Sequence, residues 1–294
     1  EGLYEIGSEA FAGTLLRRFT FPDSVVKVGD NVLSDCKNVR TVHIGSGIAG
    51  INEPAVRTPT LEEFTVSGDN PFLEAVDKAL YTKPVNDKRK LIAYPAAGIT
   101  EGRVEIPSDV SVIASKAFSG MNQLSALLFE APSSVEIIEK EAFRDAAKLN
   151  AIRLPDSLRA LGDGAFRGCG QARELVIGAG LTQIGDNAIT GVDRLRRIEV
   201  SDKNSAYSSL GNALYDKKQE TLIRYPSAGD ETTYTAPDGL LYVCDRAFYG
   251  ASFLTEVSFP DGLRAIGNEA FAGCAALSAI HLPDSLEAVG TKAF

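Results

Sequence analysis

One dipeptide recurs along this chain at a nearly constant interval, and this recurrence limits how the chain can fold. Ala-Phe, or an aliphatic variant of it, occurs ten times, and we call the second residue of each copy an anchor. The anchors are Phe11, Leu33, Val56, Phe118, Phe143, Phe166, Ile189, Phe248, Phe271 and Phe294. Outside two long gaps, successive anchors lie 22 to 25 residues apart. A unit of about 20–29 residues is typical of leucine-rich repeats, whose units stack because one unit alone cannot bury its apolar side.

Two more features keep the same register. An aliphatic residue lies five residues before every anchor, and Leu-x-x-Ile-x-Leu follows several anchors, as in residues 149–154 and 277–282. Alternation along a strand puts the Ile and Leu of Ile-x-Leu on one face. Residues 162–168 have the glycines of a turn that leads into a short helical segment. We therefore predict an α/β leucine-rich-repeat solenoid, rich in β structure, with a parallel sheet on its concave face and short helical turns.

The two long gaps resemble each other. Both contain an Asn, then Ala-Leu-Tyr, Leu-Ile and Tyr-Pro, and in both a charged turn lies between two short apolar runs. This arrangement predicts a β-hairpin. The chain is thus predicted to be one array over residues 1–294, with hairpin inserts at about 66–107 and 200–237. Most insert tyrosines are expected to pack the hairpins onto the array, an aromatic platform for sugars being the alternative. These tyrosines are Tyr81, Tyr94, Tyr207, Tyr215 and Tyr225.

Both ends of the sequence fall inside the repeat pattern. The chain begins without Met and stops on the anchor Phe294, in mid-repeat. Terminal repeats normally carry a polar cap. We expect the chain to be a fragment of a longer protein, with the Phe294 end continued by further residues or covered by a neighbour.

Some segments resemble a particular repeat family. Residues 154–158 read Leu-Pro-Asp-Ser-Leu, and residues 266–274 read Ile-Gly-Asn-Glu-Ala-Phe-Ala-Gly-Cys. Both are similar to the unit of the BspA-like (Treponema-type) bacterial leucine-rich repeats, and the resemblance covers essentially the whole chain. It is weakest at the relaxed anchors Leu33, Val56 and Ile189. The resemblance implies a secreted or cell-surface bacterial protein that adheres to host matrix or to other cells, and it implies no catalytic residues.

The residue types that carry chemistry are scattered. His43 and His281 each lie ten residues after an anchor, seven repeats apart, so they are expected to point outward on strands and to share neither a metal nor a proton. Solvated strand positions are the favoured interpretation of both, and contacts to a partner are the alternative. Cys36, Cys169 and Cys274 lie three residues after an anchor, in units that are not adjacent. They and Cys244 are expected to be separate small buried residues, without disulfide or metal.

Other candidate motifs are weaker still. The carboxylates have no fixed second partner, and the glycine-rich stretches at 45–47 and 178–180 lack the Gly-Lys-Ser/Thr ending of a phosphate loop, so solvated surface and turns are the favoured interpretations. We therefore predict no catalytic, cofactor or metal site and no enzymatic activity. A deep pocket with convergent titratable groups would favour an enzyme instead.

Charge and hydropathy limit the partners. A net charge of −9 disfavours nucleic acids and anionic membranes, because both require a basic surface. No apolar run approaches the roughly 20 residues of a membrane span. The predicted partner is a protein or a glycan on host or other cells, bound by a monomer that is extracellular or located at the cell surface.

The contact surface is predicted along the parallel strands. Solenoids offer such a face to partners, and the residue between the two inward aliphatics of each strand points outward. We call these residues the strand strip: Thr20, His43, Thr65, Leu128, Arg153, Val176, Glu199, Ser258 and His281. The protruding inserts are a second candidate surface. The alternative function is that of a structural spacer, which displays another domain away from the cell surface.

Overall fold

The computed structural model describes residues 2–294, which form a stack of short strands joined by turns. The strands before residue 108 are β1 (Glu5–Ile6), β2 (Arg18–Phe21), β3 (Lys27–Val28), β4 (Thr41–Ile44), β5 (Glu63–Val66), β6 (Leu73–Val76), β7 (Ala79–Thr82), β8 (Arg89–Ala93) and β9 (Arg103–Ile106). Those between residues 108 and 200 are β10 (Val110–Ile113), β11 (Ala126–Phe129), β12 (Ile137–Ile138), β13 (Ile152–Arg153), β14 (Ala160–Leu161), β15 (Glu174–Ile177), β16 (Gln183–Ile184) and β17 (Arg197–Val200). Those that follow are β18 (Tyr207–Leu210), β19 (Ala213–Asp216), β20 (Thr221–Arg224), β21 (Thr233–Thr235), β22 (Tyr242–Val243), β23 (Glu256–Ser258), β24 (Ala265–Ile266), β25 (Ala279–His281) and β26 (Ala288–Val289).

The Ile-x-Leu segments form the first of two sets of parallel strands, which we call the front sheet. It consists of four groups: β2–β4–β5, β9–β11, β13–β15–β17 and β21–β23–β25. Within each strand the burial alternates as expected; in β15, for example, Leu175 and Ile177 are buried while Glu174 and Val176 are half-buried. The period of two therefore puts one aliphatic face on the core and the other face towards solvent.

A second set of parallel strands, the back sheet, comes from the aliphatic residue that precedes each anchor. Most of these strands have only two residues, such as β12, β14 and β16, in which Ile138, Leu161 and Ile184 are paired in register. These strands were not predicted, because two residues are too few to show a period. Most repeats thus contribute one strand to the front sheet and one to the back sheet, with the core between them, while Ile51, before the anchor Val56, lies in no strand.

Eight of the ten anchors lie in turns, so the predicted short helical turns are wrong at these anchors and the α/β class is wrong, whereas the anchor Val56 ends a short helix. Among the described residues, helix is confined to α1 (Glu53–Val56) and one turn of 3-10 helix at Ala96–Gly98. The physical reason is backbone conformation on both sides of the anchor. Around Phe143, for example, Glu141 has φ 56° and Asp145 has φ 57°. An α-helix requires consecutive residues in the right-handed conformation. Left-handed residues only four positions apart leave too few residues between them for a helix to form. The fold is a leucine-rich-repeat β-solenoid made mostly of strands.

Each insert contains three antiparallel strands. β6 pairs with β7 and β7 with β8 in the first insert, and β18, β19 and β20 repeat this order in the second. The last strand of each insert also pairs in parallel with the back sheet, β8 with β10 and β20 with β22. The predicted insert ends at 107 and 237 lie too far along the chain, because β9 and β21 already pair with the front strands β11 and β23.

Two buried asparagines show that the inserts are copies of one another. Asn70 Nδ2 donates to the carbonyl oxygens of Gly45 and Ile48, at 2.8 and 2.9 Å, and its Oδ1 accepts from the main-chain N–H groups of Phe72 and Leu73. Asn204 makes the same four contacts in the second insert. The two inserts, which resemble each other in sequence, therefore also share the same set of hydrogen bonds.

Stacked aromatic rings run through the core. The rings of Phe118, Phe143 and Phe166 have centroids 4.8 and 4.9 Å apart and are nearly parallel, and Tyr94 stacks on Phe118 at 5.2 Å. A second stack contains Tyr225, Phe248, Phe271 and Phe294. These separations are close to the spacing of about 4.7–4.9 Å between strands, so each repeat adds one ring.

The insert tyrosines pack onto the array as predicted. Tyr81, Tyr215 and Tyr225 are buried, and Tyr94 and Tyr207 are partly buried against the core. The hydroxyl oxygens of Tyr215 and Tyr234 lie 2.8 Å apart within the second insert region. Burial raises the pKa of Tyr81 and of Tyr225 to about 12. These rings therefore join the inserts to the core of the array.

Candidate binding surface

The strand strip lies in register along the front sheet. Thr20, His43 and Thr65 are paired neighbours in β2, β4 and β5, and Arg153, Val176 and Glu199 are paired neighbours in β13, β15 and β17. Ser258 and His281 are paired in β23 and β25, whereas Leu128 lies on β11, in a separate group. Thr20, Thr65, Arg153, Glu199 and His281 are exposed, and the other four are half-buried. The predicted residues are therefore brought into rows, in four groups rather than in one unbroken line.

Two members of the strip were missed by sequence reasoning. Glu105 on β9 pairs with Leu128, and Thr235 on β21 pairs with Ser258, so both occupy the same outward position. Their strands follow the inserts and have no Ala-Phe anchor in front of them, which is why the spacing did not reveal them. The signal that could have found them is the proline after each strand, Pro107 and Pro237, since other front strands also end at Pro.

Ion pairs link the third group of front strands. Nε and Nη2 of Arg153 donate to Oε2 of Glu174, at 3.1 and 2.6 Å, while Nη2 of Arg197 donates to Oε1 of the same carboxylate. Arg197 Nη1 also lies 3.1 Å from Glu199 Oε1. The hydrogen bond from Arg197, with further help from Arg153, lowers the pKa of Glu174. Alternating charges thus neutralise one another along this part of the strip.

The two histidines are far apart, as predicted. Nδ1 of His43 lies 2.9 Å from Oγ1 of Thr65, and His281 is exposed on β25 at the other end of the array. Within residues 2–294, no three His, Cys, Asp or Glu side chains are grouped so that they could hold a metal ion.

The cysteines occupy equivalent places in the turns. Sγ of Cys36, Cys169 and Cys274 donates to the carbonyl oxygen of an earlier anchor, Phe11, Phe143 and Phe248 respectively, at 3.1 to 3.3 Å. All four cysteines are free thiols; Cys36 and Cys169 are buried, and Cys244 and Cys274 are half-buried. Burial raises the pKa of Cys169 to about 12 and that of Cys274 to about 11, so these thiols stay protonated at neutral pH.

The front sheet is interrupted between β11 and β13, where a cleft of about 770 Å³ opens. Among the described strands, β11 pairs only with β9, and β13 begins the next group. Leu128 and Arg153 of the strand strip both line this cleft. We call it the front cleft.

The back sheet has a cleft at each insert, of about 550 Å³ at the first and about 790 Å³ at the second. Three of the four carboxylates that line the second are held by contacts within the chain. Asp216 Oδ1 accepts from the Thr221 N–H at 2.8 Å, Asp245 Oδ1 accepts from the Asn268 N–H at 2.6 Å, and Glu269 pairs with Arg246 at 2.8 Å.

A buried arginine also lines this second cleft. Arg224 Nη1 donates to the carbonyl oxygen of Arg246, and Nη2 donates to Ser227 Oγ and to the carbonyl oxygen of Tyr249. Burial lowers the pKa of Arg224 to about 10, so the side chain remains charged at neutral pH. Its contacts join the insert to the anchor turn of the next repeat.

These repeats match a known family. The model of the BspA-type leucine-rich repeat region matches in six copies, over residues 1–76, 99–219 and 230–294. The chain belongs to this family. Residues 77–98 and 220–229, which the match leaves out, lie in the two inserts of this BspA-type chain. No curated protein matches it.

Solved structures with the same fold come from several bacteria. A leucine-rich cell surface protein from Faecalibacterium prausnitzii is 23% identical, with a TM-score of 0.57 over 93% of the BspA-type chain and 71% of its own length. The pneumococcal vaccine antigen PcpA is 20% identical, with a TM-score of 0.55 over 98% of the chain and 71% of its own. A leucine-rich repeat protein from Eubacterium ventriosum is 23% identical, with a TM-score of 0.55 over 98% of the chain and 66% of its own. At these identities the likeness establishes the fold alone.

The helices of the BspA-type chain are short. In the part of the chain that the structure describes, none is long and apolar enough to cross a membrane.

Proposed function

We propose that this chain is a binding module of the bacterial cell surface or its surroundings, which adheres to a protein or a glycan on host or microbial cells. The observation that carries the proposal is the strand strip, whose nine predicted residues, with Glu105 and Thr235, are outward side chains in register on parallel strands. Residues 1–294 act in this proposal as one array and as a monomer.

The chemistry of the strip supports a protein or glycan partner. Its residues are of mixed charge and modest size, and the arginines of the third group are neutralised by Glu174 and Glu199. A nucleic acid would require uncompensated positive charge. The described relatives include a cell surface protein and a vaccine antigen, which supports an extracellular location.

The test is adhesion of the purified, labelled protein to epithelial cells, matrix proteins and a glycan array. The test variant carries Arg153→Ala, Glu199→Ala and His281→Ala, all of them exposed residues of the strip. Its adhesion is expected to fall at least ten-fold, because several side chains of one contact surface are lost together.

The matched control carries Arg159→Ala, Gln183→Ala and Glu287→Ala. These are exposed residues of, or next to, the back strands β14, β16 and β26. Adhesion by this variant is expected to equal that of the unchanged protein. If the strip variant also adheres normally, while a protein with fewer repeats does not, the array is a spacer and the binding proposal is wrong.

A further inference from the structure

The front cleft is created by two additional residues in one turn. Five residues, 130–134, separate Phe129 from the buried Val135, whereas three residues, 155–157, separate Leu154 from the buried Leu158. The longer turn leaves β11 without a strand partner on the β13 side. The cleft therefore lies at a local departure from the repeat.

The floor of the front cleft is apolar. Leu128, Phe129 and Ala151 line it and are half-buried, so their remaining surface faces solvent. Most other positions of the strand strip carry polar side chains. A recess of apolar surface in an otherwise polar strip can bury a partner's large apolar side chain, and this burial favours binding.

The rim of the front cleft is acidic. Glu130 Oε2 accepts from the Ser108 N–H at 2.8 Å, and Asp156 Oδ1 accepts from the Ala179 N–H at 2.7 Å. These bonds hold the carboxylates at the rim, and a carboxylate that accepts one bond can still accept others. The positive charge of Arg153, in the wall, is offset by Glu174. Exposed Glu105 adds a further acidic group beside Leu128.

We propose that the front cleft takes an aromatic or large aliphatic side chain from a partner protein segment in which lysine or arginine flanks that side chain. The inference rests on the proposed function, since it names the partner class and the anchoring place on the same surface. The apolar floor accounts for the anchor residue, and the acidic rim accounts for the basic flanks. Like charges at such a rim also disfavour segments with acidic flanks.

The test uses three synthetic peptides whose binding to the whole chain is measured by fluorescence anisotropy. Their central sequences are Lys-Lys-Phe-Lys-Lys, Glu-Glu-Phe-Glu-Glu and Lys-Lys-Ser-Lys-Lys. The first is expected to bind at least five-fold more tightly than either of the others. Only this peptide has both an aromatic side chain for the apolar floor and lysines for the acidic rim. Equal binding of the first and third would overturn the proposal, since charge alone would then explain the affinity.

Variants locate the binding. Leu128→Ser should weaken binding of Lys-Lys-Phe-Lys-Lys at least five-fold, whereas Val176→Ser, the matched half-buried strip residue on β15, should leave it unchanged. Glu130→Gln together with Asp156→Asn keeps an oxygen acceptor at each position and should remove the preference for lysine over glutamate flanks. Unchanged binding by the Leu128 variant, with circular dichroism confirming its fold, would show that the cleft is not the site.

The outcomes separate the two proposals. A protein whose adhesion to cells depends on the strand strip but which binds none of the peptides refutes the front-cleft proposal alone. A protein that binds Lys-Lys-Phe-Lys-Lys through Leu128 but adheres to cells independently of the strip refutes the proposed function alone.

Discussion

Asn70 and Asn204 each satisfy four main-chain groups that would otherwise be buried without partners. Both side chains are fully buried, with the amide nitrogen donating to two carbonyl oxygens and the amide oxygen accepting two N–H groups. A carboxamide is the side chain that offers both two donors and an acceptor oxygen at this size. The position therefore requires this chemistry as well as this shape.

The change Asn70→Asp tests that requirement. The carboxylate would face the carbonyl oxygens of Gly45 and Ile48 without a proton to donate, so the free energy of unfolding should fall by about 3 kcal/mol. Urea unfolding at pH 7 measures the loss. The control is Asn150→Asp on the exposed surface, which should change stability by less than about 0.5 kcal/mol. Equal losses in the two variants would contradict the assignment.

Glu174 makes stability depend on pH in a defined direction. Its pKa is lowered from the ordinary value of 4.5, mainly by the hydrogen bond from Arg197. A group with a lowered pKa in the folded state contributes stability above its unfolded pKa and loses it as the pH falls through the folded pKa. Glu174→Gln should thus reduce the free energy of unfolding by about 1 kcal/mol at pH 7, and this difference should shrink progressively below pH 4.5.

A double-mutant cycle checks the cause of this effect. In a background with Arg153→Gln and Arg197→Gln, the change Glu174→Gln should alter stability at pH 7 much less, since the partners are already absent. Chemical unfolding at several pH values gives all four corners of the cycle. A pH-independent effect of Glu174→Gln would show that packing, and not charge, is responsible.

Single residues of the strip were predictable only where the repeat is intact. Thr20 and His281 could be predicted from their distance to the preceding anchor. Glu105 and Thr235 come directly after the inserts, where no anchor lies at that distance. The front cleft could not be predicted from the sequence position of Leu128 either. It depends on how the turn at residues 130–134 separates two strands, which is a tertiary property.

The front strands and the back strands differ in how much sequence defines them. Front strands such as β15 have four residues and a clear alternation, so their period of two is visible. A back strand such as β14 has two residues, too few for any period, and it exists because β12 and β16 pair with it on either side. The helical turns were predicted from the glycines of residues 162–168, but Gly164 (φ 59°) and Gly168 (φ 78°) themselves have the left-handed conformation there, which an α-helix does not contain.

The turns after the front strands stack closely on one another. A Cβ atom added to Gly178 would lie 2.7 Å from main-chain atoms of Pro155 and Asp156 in the preceding repeat. Main-chain atoms cannot move aside as a side chain can. Gly178→Ala should therefore lower the free energy of unfolding by about 2 kcal/mol, as measured by thermal or urea unfolding.

Gly239→Ala is the control for this element. A Cβ atom at Gly239 would meet no atom within 4 Å, and the change should be neutral or slightly stabilising, because alanine restricts the unfolded chain. If both alanine variants were equally stable, the close stacking of turns would not contribute to the fold.

The whole molecule is a one-dimensional array in which each repeat contacts mainly its neighbours. The stacked rings at 4.8 and 4.9 Å and the paired strands on both sheets show the same step from unit to unit. The period in the sequence predicted the stacking of units and the front strands, but not the back strands, which are too short to show a period. Where the chain departs from the period, at the inserts and the longer turn, the sequence predicted less, and the front cleft and the two back-sheet clefts described above lie there.

An array of this kind should tolerate the loss of a whole unit but not of half a unit. Deleting residues 144–166 joins Phe143 to Arg167 and removes β13 and β14 together, so every remaining front and back strand meets a strand of its own kind. The shortened chain should keep a β-rich circular dichroism spectrum and cooperative unfolding, and its length by X-ray scattering should decrease by about 5 Å. Deleting residues 144–154 removes β13 alone, which puts aliphatic positions out of register, and should abolish cooperative unfolding. Two shortened chains with the same unfolding behaviour would mean that the repeat register does not determine the stability of the array.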